Sequence, residues 1–218
     1  MALSGGGFEL VEVKSFLFRC ARMSSSPLVS RKGRHQQRYD NQRRLVAGCI
    51  PYKLNIEDDT QSDDLLDRVE VLMITSPGRN DLIFPKGGWE TDETAGEAAC
   101  REALEEAGVR GILNDTVLGV WEFRSKSTQD TCSVEGVCRG YMFALEVTEE
   151  LECYPEKDSH QRQWVHVAEA YKHCRYDWMR EALNSFKNLL TGKPVSTVPE
   201  LSESSGFWIA KPNAVALC

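Results

Sequence analysis

The sequence predicts an α+β fold: an α/β/α sandwich around a mixed β-sheet, in one domain. Three observations predict it. Strand-like runs come first, one amphipathic helix interrupts them, more strands follow, and helical patterns close the ordered part of the chain. The central helix carries small and apolar residues on one side, which suits close packing against a sheet. The chain has 218 residues, 41% of them hydrophobic, enough to bury one sizeable core.

Each element has its own signal. The run RRLVAGCIPYKL, ending at Leu54, fits a strand, and NIEDDTQSDD after it is a polar loop. RVEVLMITSP, 68 to 77, is a second strand stopped by Pro77 and Gly78. DLIFPKGG, 81 to 88, starts as a short strand and becomes a glycine-bearing loop. Thr94 and Glu97 have capping-box spacing, so a helix begins near Ala95, and Gly108 supplies its stop. TVLGVWEFRSK, RGYMFALEV and QWVHV are further strands, and helices are expected at 167–174 and 176–190. Residues 1–35 read as a flexible extension, 36–190 as the domain, and 191–218 as a loose tail.

Bulk properties exclude several classes. A net charge of −7 argues against broad nucleic-acid binding, and no stable nucleic-acid complex is expected. No apolar run approaches the roughly 20 residues of a membrane span. The eight cysteines (Cys20, Cys49, Cys100, Cys132, Cys138, Cys153, Cys174 and Cys218) form no C-x-x-C pair, which points to free thiols in a reducing compartment. A cytoplasmic site, extending to the nucleus, is the expectation. The alternative is mitochondrial: residues 1–22 carry Lys14, Arg19 and Arg22 among apolar residues, although Glu9 and Glu12 are unusual in a transit peptide. Residues 31 to 44, RKGRHQQRYDNQRR, form a basic arm that can attract polyanions. The tryptophans Trp89, Trp121, Trp164 and Trp178 read as core, with Trp89, beside the glycines, also able to stack on a base.

The central helix raises the functional question. Glu102, Glu105 and Glu106 fall within an arc of about 100°, while Gly96, Cys100, Ala103, Leu104 and Ala107 lie opposite. Two carboxylates about 5 Å apart repel by roughly 3 kcal/mol at an effective dielectric near 20. If this face lines a cleft, something positive must offset that repulsion. A hard divalent cation with oxygen ligands is the natural candidate.

From Gly87, five residues lead to Glu93 and seven more to REALEEAGV, 101 to 109. This resembles the Nudix box, G-x5-E-x7-R-E-U-x-E-E-x-G-U with U a bulky apolar residue. Ala103 departs from it at the first U position, a matter of packing beneath the helix. The segments QRYDNQRRLVAGCIPYKL, EVLMITS, LIFPKGGWE, LGVWEFRSKS and YMFALEVTEEL extend the likeness over about residues 36 to 190. They resemble plant Nudix hydrolases close to the diphosphoinositol polyphosphate phosphohydrolases.

The resemblance implies metal-dependent hydrolysis of phosphoanhydride bonds in diphosphoinositol polyphosphates or diadenosine polyphosphates by an activated water. The alternatives are ADP-ribose, NADH, nucleotide-sugars or capped RNA as substrates, or a non-hydrolytic sensor. It makes Glu102 and Glu106 the expected ligands of Mg²⁺ or Mn²⁺, and Glu105 the proton acceptor, also in reach of the metal. Glu93 and Arg101 are expected to brace the loop–helix–loop through an ion pair, a structural role, and Gly108 is a further structural position of the box. Lys86, Gly87 and Gly88 are candidate phosphate contacts. Arg38, Arg44, Arg124, Lys126, Arg139 and Arg162 are candidate cations for a substrate rich in phosphates.

Overall fold

The computed structural model describes residues 17–19, 29–55, 65–76, 81–124 and 136–194. In chain order these form β1 (Leu17–Arg19), β2 (Tyr39–Asp40), β3 (Arg43–Leu54), β4 (Val69–Thr75), β5 (Leu82–Ile83) and β6 (Lys86–Gly88). Then come α1 (Ala95–Ala107), β7 (Val109–Asn114), β8 (Gly119–Arg124), β9 (Val137–Glu150), β10 (Arg162–His166), α2 (Val167–His173) and α3 (Asp177–Leu190). One mixed sheet joins the strands along the path β1-β7-β9-β3-β4-β10; β2 and β6 add to β3, β5 to β4, and β8 to β9.

The centre of the sheet is the parallel pair β3–β9, in register from Arg44 opposite Cys138 to Tyr52 opposite Glu146. Both strands are long, nearly continuous apolar runs, as strands covered on both faces must be. Side chains alternate along a strand, so Cys49 and Tyr52 of β3 point to opposite faces. Cys49 Sγ meets the Ala99 carbonyl of α1, and Tyr52 packs on Phe186 of α3, ring centroids 5.0 Å apart. The two helices therefore cover the two faces, which makes the α/β/α sandwich. Ala98, Ala99 and Ala103 are fully buried, and these small residues let α1 lie close to the sheet. The departure at Ala103 is thus a packing choice beneath the helix.

Strand β7 was not expected. Gly108 adopts φ 64°, a left-handed turn that sends the chain directly from α1 into a strand beside the C-terminal part of β9. The strand expected over 116–126 starts later, at Gly119, and is described as far as Arg124. Leu17–Arg19, expected in a flexible extension, pairs with β7. Cys49, Cys100, Cys138, Cys153 and Cys174 are free thiols. Among the described residues no helix is long and apolar enough to cross a membrane. The readings made for residues 1–16, for Lys126 and for 195–218 lie outside the described residues.

Candidate active site

The first half of α1 is held by paired groups. Thr94 is the N-cap: its Oγ1 accepts from the Glu97 backbone N–H at 3.2 Å, and the Glu97 carboxylate accepts from the Thr94 N–H at 2.8 Å. Arg101 donates twice to Glu93, from Nε at 3.0 Å and from Nη2 at 2.7 Å, and both side chains are buried. Its remaining donors reach the Gly88 carbonyl at 2.7 Å and Glu102 Oε1 at 2.6 Å. One guanidinium thus ties the glycine strand, the loop before α1 and the acid face together, a bidentate use that lysine could not reproduce.

The second half concentrates negative charge. Glu102 and Glu105 are buried, 8% and 6% exposed, and the Glu106 side chain is 14% exposed. Burial first, then the charge of Glu106, push Glu102 well above the ordinary carboxylate range, against the opposing pull of Arg101. Burial lifts Glu105 to about 7, with Arg101 and the Arg31 N–H pulling the other way. Glu106 is raised by burial despite Lys86 and His160. The Lys86 backbone N–H donates to Glu106 Oε2 at 2.8 Å, and the Arg31 N–H donates to both Glu105 oxygens at 3.3 Å. The Arg31 guanidinium meanwhile reaches Glu90 and Asp92 in the loop before the helix. Oxygen ligands gathered on one helix face, each with its charged form disfavoured by burial, fit a hard divalent cation that would offset that penalty.

Glycine at 87 and 88 is a steric requirement. A Cβ at Gly87 would lie 2.2 Å from Glu102 Oε2, and one at Gly88 would lie 2.3 Å from Gln37 Oε1 and 2.8 Å from Arg44 Nη2. The space beside both residues is thus filled by the protein's own polar groups.

The candidate cations divide into two sets. Arg44 pairs across β3–β9 with Cys138, whose thiol is raised by burial and lowered by the charges of Arg44, Lys86 and, from the basic arm, Arg34. Arg44 also donates to Gln37 Oε1 at 2.7 Å. Three others, Arg38, Arg162 and Arg139, serve the protein itself. Arg38 donates to the carbonyls of Glu90, Thr91 and Glu93 and lies 5.0 Å from the Trp89 ring centre. Arg162 donates to the carbonyls of Ala107, Gly108 and Leu151, closing the C-terminus of α1, where a cation also suits the helix dipole. Arg139 pairs with Asp40 and with Glu122. Arg124 is exposed at the end of β8, opposite Val137. Trp89 is buried, edge-on to Tyr141 and donating to the Glu93 carbonyl.

Four residues of the site escaped the sequence reading: Arg31, Gln37, Glu156 and His160. The last two reach it because the loop after β9 caps α1. The Glu156 N–H donates to the Glu105 carbonyl at 3.0 Å and the Leu151 N–H to the Gly108 carbonyl at 2.8 Å, which satisfies carbonyls that the helix leaves without partners. Ligand atoms of Glu106, Glu156 and His160 then lie within 4.8 Å of one another. Burial opposes the charged form of His160, but Glu156, Glu106 and the Thr75 carbonyl outweigh it and the net shift is upward. The only local signal was a glutamate and a histidine four residues apart in a polar loop.

A NUDIX domain model matches residues 63–186. The chain belongs to the Nudix family. It is 58% identical over 170 residues to Nudix hydrolase 12, mitochondrial, of Arabidopsis thaliana, spanning 76% of this chain and 83% of that protein. To Nudix hydrolase 13, mitochondrial, of the same plant it is 54% identical over 184 residues, 83% and 91% of the two chains. Diphosphoinositol polyphosphate phosphohydrolase 2 of Rattus norvegicus is 32% identical over 179 residues, 78% and 87%. A Nudix hydrolase structure from Nitrosomonas europaea matches with a TM-score of 0.51 at 20% identity, covering 74% of this chain and 79% of that one, a likeness of fold. The protein is thus a Nudix hydrolase, a class that acts on small-molecule substrates and generally uses divalent metals, and its acid face is consistent with pyrophosphate hydrolysis.

Proposed function

We propose that this Nudix hydrolase cuts phosphoanhydride bonds in diphosphoinositol polyphosphates and diadenosine polyphosphates. The observation that carries the reading is an acid face whose Glu106 accepts from the Lys86 N–H at 2.8 Å, with the Arg44 guanidinium beside Gly88 on the same glycine strand. Many phosphates need several cations, and an acidic protein must concentrate them locally. The rat relative, by its name a diphosphoinositol polyphosphate phosphohydrolase, supports the same substrate class.

Glu102 and Glu106 would hold Mg²⁺ or Mn²⁺, with Glu105 in reach. The cation supplies neutralisation of phosphate oxygens and a more acidic water. Glu105 takes the proton of the attacking water. Its orientation is held by the Arg31 N–H, and its affinity for that proton is raised by burial. Lys86, Arg44 and Arg34 bind the flanking phosphates and stabilise charge on the leaving group. Glu93 and Arg101 keep the glycine strand and the helix in register. The names of the two plant relatives, with the basic, apolar residues 1–22, support a mitochondrial destination over the cytoplasm; a fluorescent fusion of the full chain tests it.

The test is phosphate release from both substrate classes, alongside ADP-ribose, with Mg²⁺ and with Mn²⁺, comparing wild type and Glu106→Gln. Turnover of the phosphate-rich substrates that the variant loses by about 10²-fold or more supports the reading. Equal rates for the two proteins, or turnover of ADP-ribose alone, contradict it.

A further inference from the structure

The trio Glu106, Glu156 and His160 differs in chemistry from the rest of the acid face because it contains a nitrogen. His160 is 4% exposed, and its Nδ1 lies 2.7 Å from the Thr75 carbonyl. A carbonyl only accepts, so Nδ1 carries the hydrogen. That leaves Nε2 facing Glu156 Oε2 at 3.4 Å and Glu106 Oε1 at 3.9 Å. A ring nitrogen anchored to a carbonyl, with the other turned toward carboxylates, is how proteins present histidine to a metal. The spacing also fits. With metal–ligand distances of ~2.1 Å, ligand atoms around one tetrahedral ion lie about 3.4 Å apart. A small movement of Glu106 would close the remaining gap.

The trio is built into the fold from two sides. Glu156 is placed by its N–H on the Glu105 carbonyl, and the His160 N–H donates to the Glu156 carbonyl at 2.9 Å. From the sheet side, Thr75 holds the His160 ring through its carbonyl and accepts the Gln161 N–H on its Oγ1 at 2.9 Å. The loop that caps α1 and the end of β4 thus fix the histidine from opposite directions.

We infer that Glu106, Glu156 and His160 form a second cation seat, sharing Glu106 with the acid face and selecting a first-row transition ion, Co²⁺ or Zn²⁺ most strongly and Mn²⁺ less so, over Mg²⁺. Imidazole suits transition ions, whereas Mg²⁺ demands oxygen ligands. The seat would give the enzyme a metal preference that the box glutamates alone do not supply. It rests on the proposed function only in taking Glu106 as a metal ligand.

The experiment is pulsed electron paramagnetic resonance of the full chain loaded with Mn²⁺, which detects ¹⁴N bonded to the ion. Wild type is expected to show ¹⁴N modulation, and His160→Gln to lose it while its circular dichroism is unchanged. Calorimetry adds the selectivity: His160→Gln and Glu156→Gln are expected to weaken Mn²⁺ at least about tenfold and Mg²⁺ by less than about twofold. Absence of ¹⁴N modulation in wild type overturns the inference, as does its persistence in His160→Gln. Equal losses for the two metals overturn the claimed selectivity. Phosphate release plays no part in these readings, so loss of the proposed substrates in the turnover screen would leave them intact, and the reverse.

Discussion

The two halves of α1 handle charge in opposite ways. In the first, each charged group has its counterpart: Glu97 closes the cap on Thr94, and Glu93 receives two donors from Arg101. In the second, three carboxylates crowd together: Arg101, already committed to Glu93, is shared by Glu102 and Glu105, and Lys86 and His160 oppose the burial of Glu106. A helix shaped only for stability would distribute its cations more evenly. The contrast teaches that the first half is braced by its own partners, and that the second concentrates carboxylates, as the proposed cation binding requires.

The largest way to break the contrast is to remove the cation that both halves share. Arg101→Met leaves buried Glu93 with only the Glu90 N–H at 3.0 Å and the distant Arg31 guanidinium at 3.9 Å, and breaking a buried pair from one side costs about 3–5 kcal/mol. Urea unfolding should show a loss of that order, whereas a loss below about 1 kcal/mol would mean that Glu93 finds another partner.

A smaller effect comes from pH. Glu105, Glu102 and His160 all have folded-state affinities for protons above their ordinary values. Groups raised in this way contribute stability that is complete below their unfolded values and is lost as pH rises through the folded ones. In chelator, Tm should therefore fall as pH goes from about 5 to about 8, and saturating Mg²⁺ should flatten that fall. Glu156, which is lowered by its hydrogen bond with His160, acts only in more acid solution, near and below the ordinary glutamate value. A Tm that rises with pH in chelator would show that the crowded carboxylates are already neutralised by protein groups.

The smallest effect belongs to the cap. Thr94→Ala should cost about 1 kcal/mol by removing the acceptor for the Glu97 N–H, measured by thermal unfolding. Metal affinity should stay unchanged, because the cap lies at the scaffold end.

Much of this was legible in the sequence, for local reasons. The cap at Thr94, the stop at Gly108 and the acid face are written in spacing over a few residues. The strands β3 and β9 appear as long apolar runs. What was not legible depends on distant packing. No local pattern says that β3 lies parallel to β9 some ninety positions away, nor that the polar loop after β9 caps α1 and delivers His160 to Glu106. Arg31 opens the basic arm at the end of the flexible extension, and nothing local says that its N–H meets Glu105. Arginines look alike in a sequence, and only their partners separate Arg162, bound to helix carbonyls, from Arg44, beside Gly88.

The central claim is that the second half of α1 is destabilised by its own charge until a divalent ion arrives. Thermal unfolding of wild type and Glu106→Gln near pH 8, in chelator and in Mg²⁺, tests it most directly. Glutamine keeps an oxygen for the Lys86 N–H and removes one charge. The variant should melt above wild type in chelator and gain little from Mg²⁺, while wild type gains several degrees. A variant that melts below wild type in chelator and gains as much from Mg²⁺ would contradict the account.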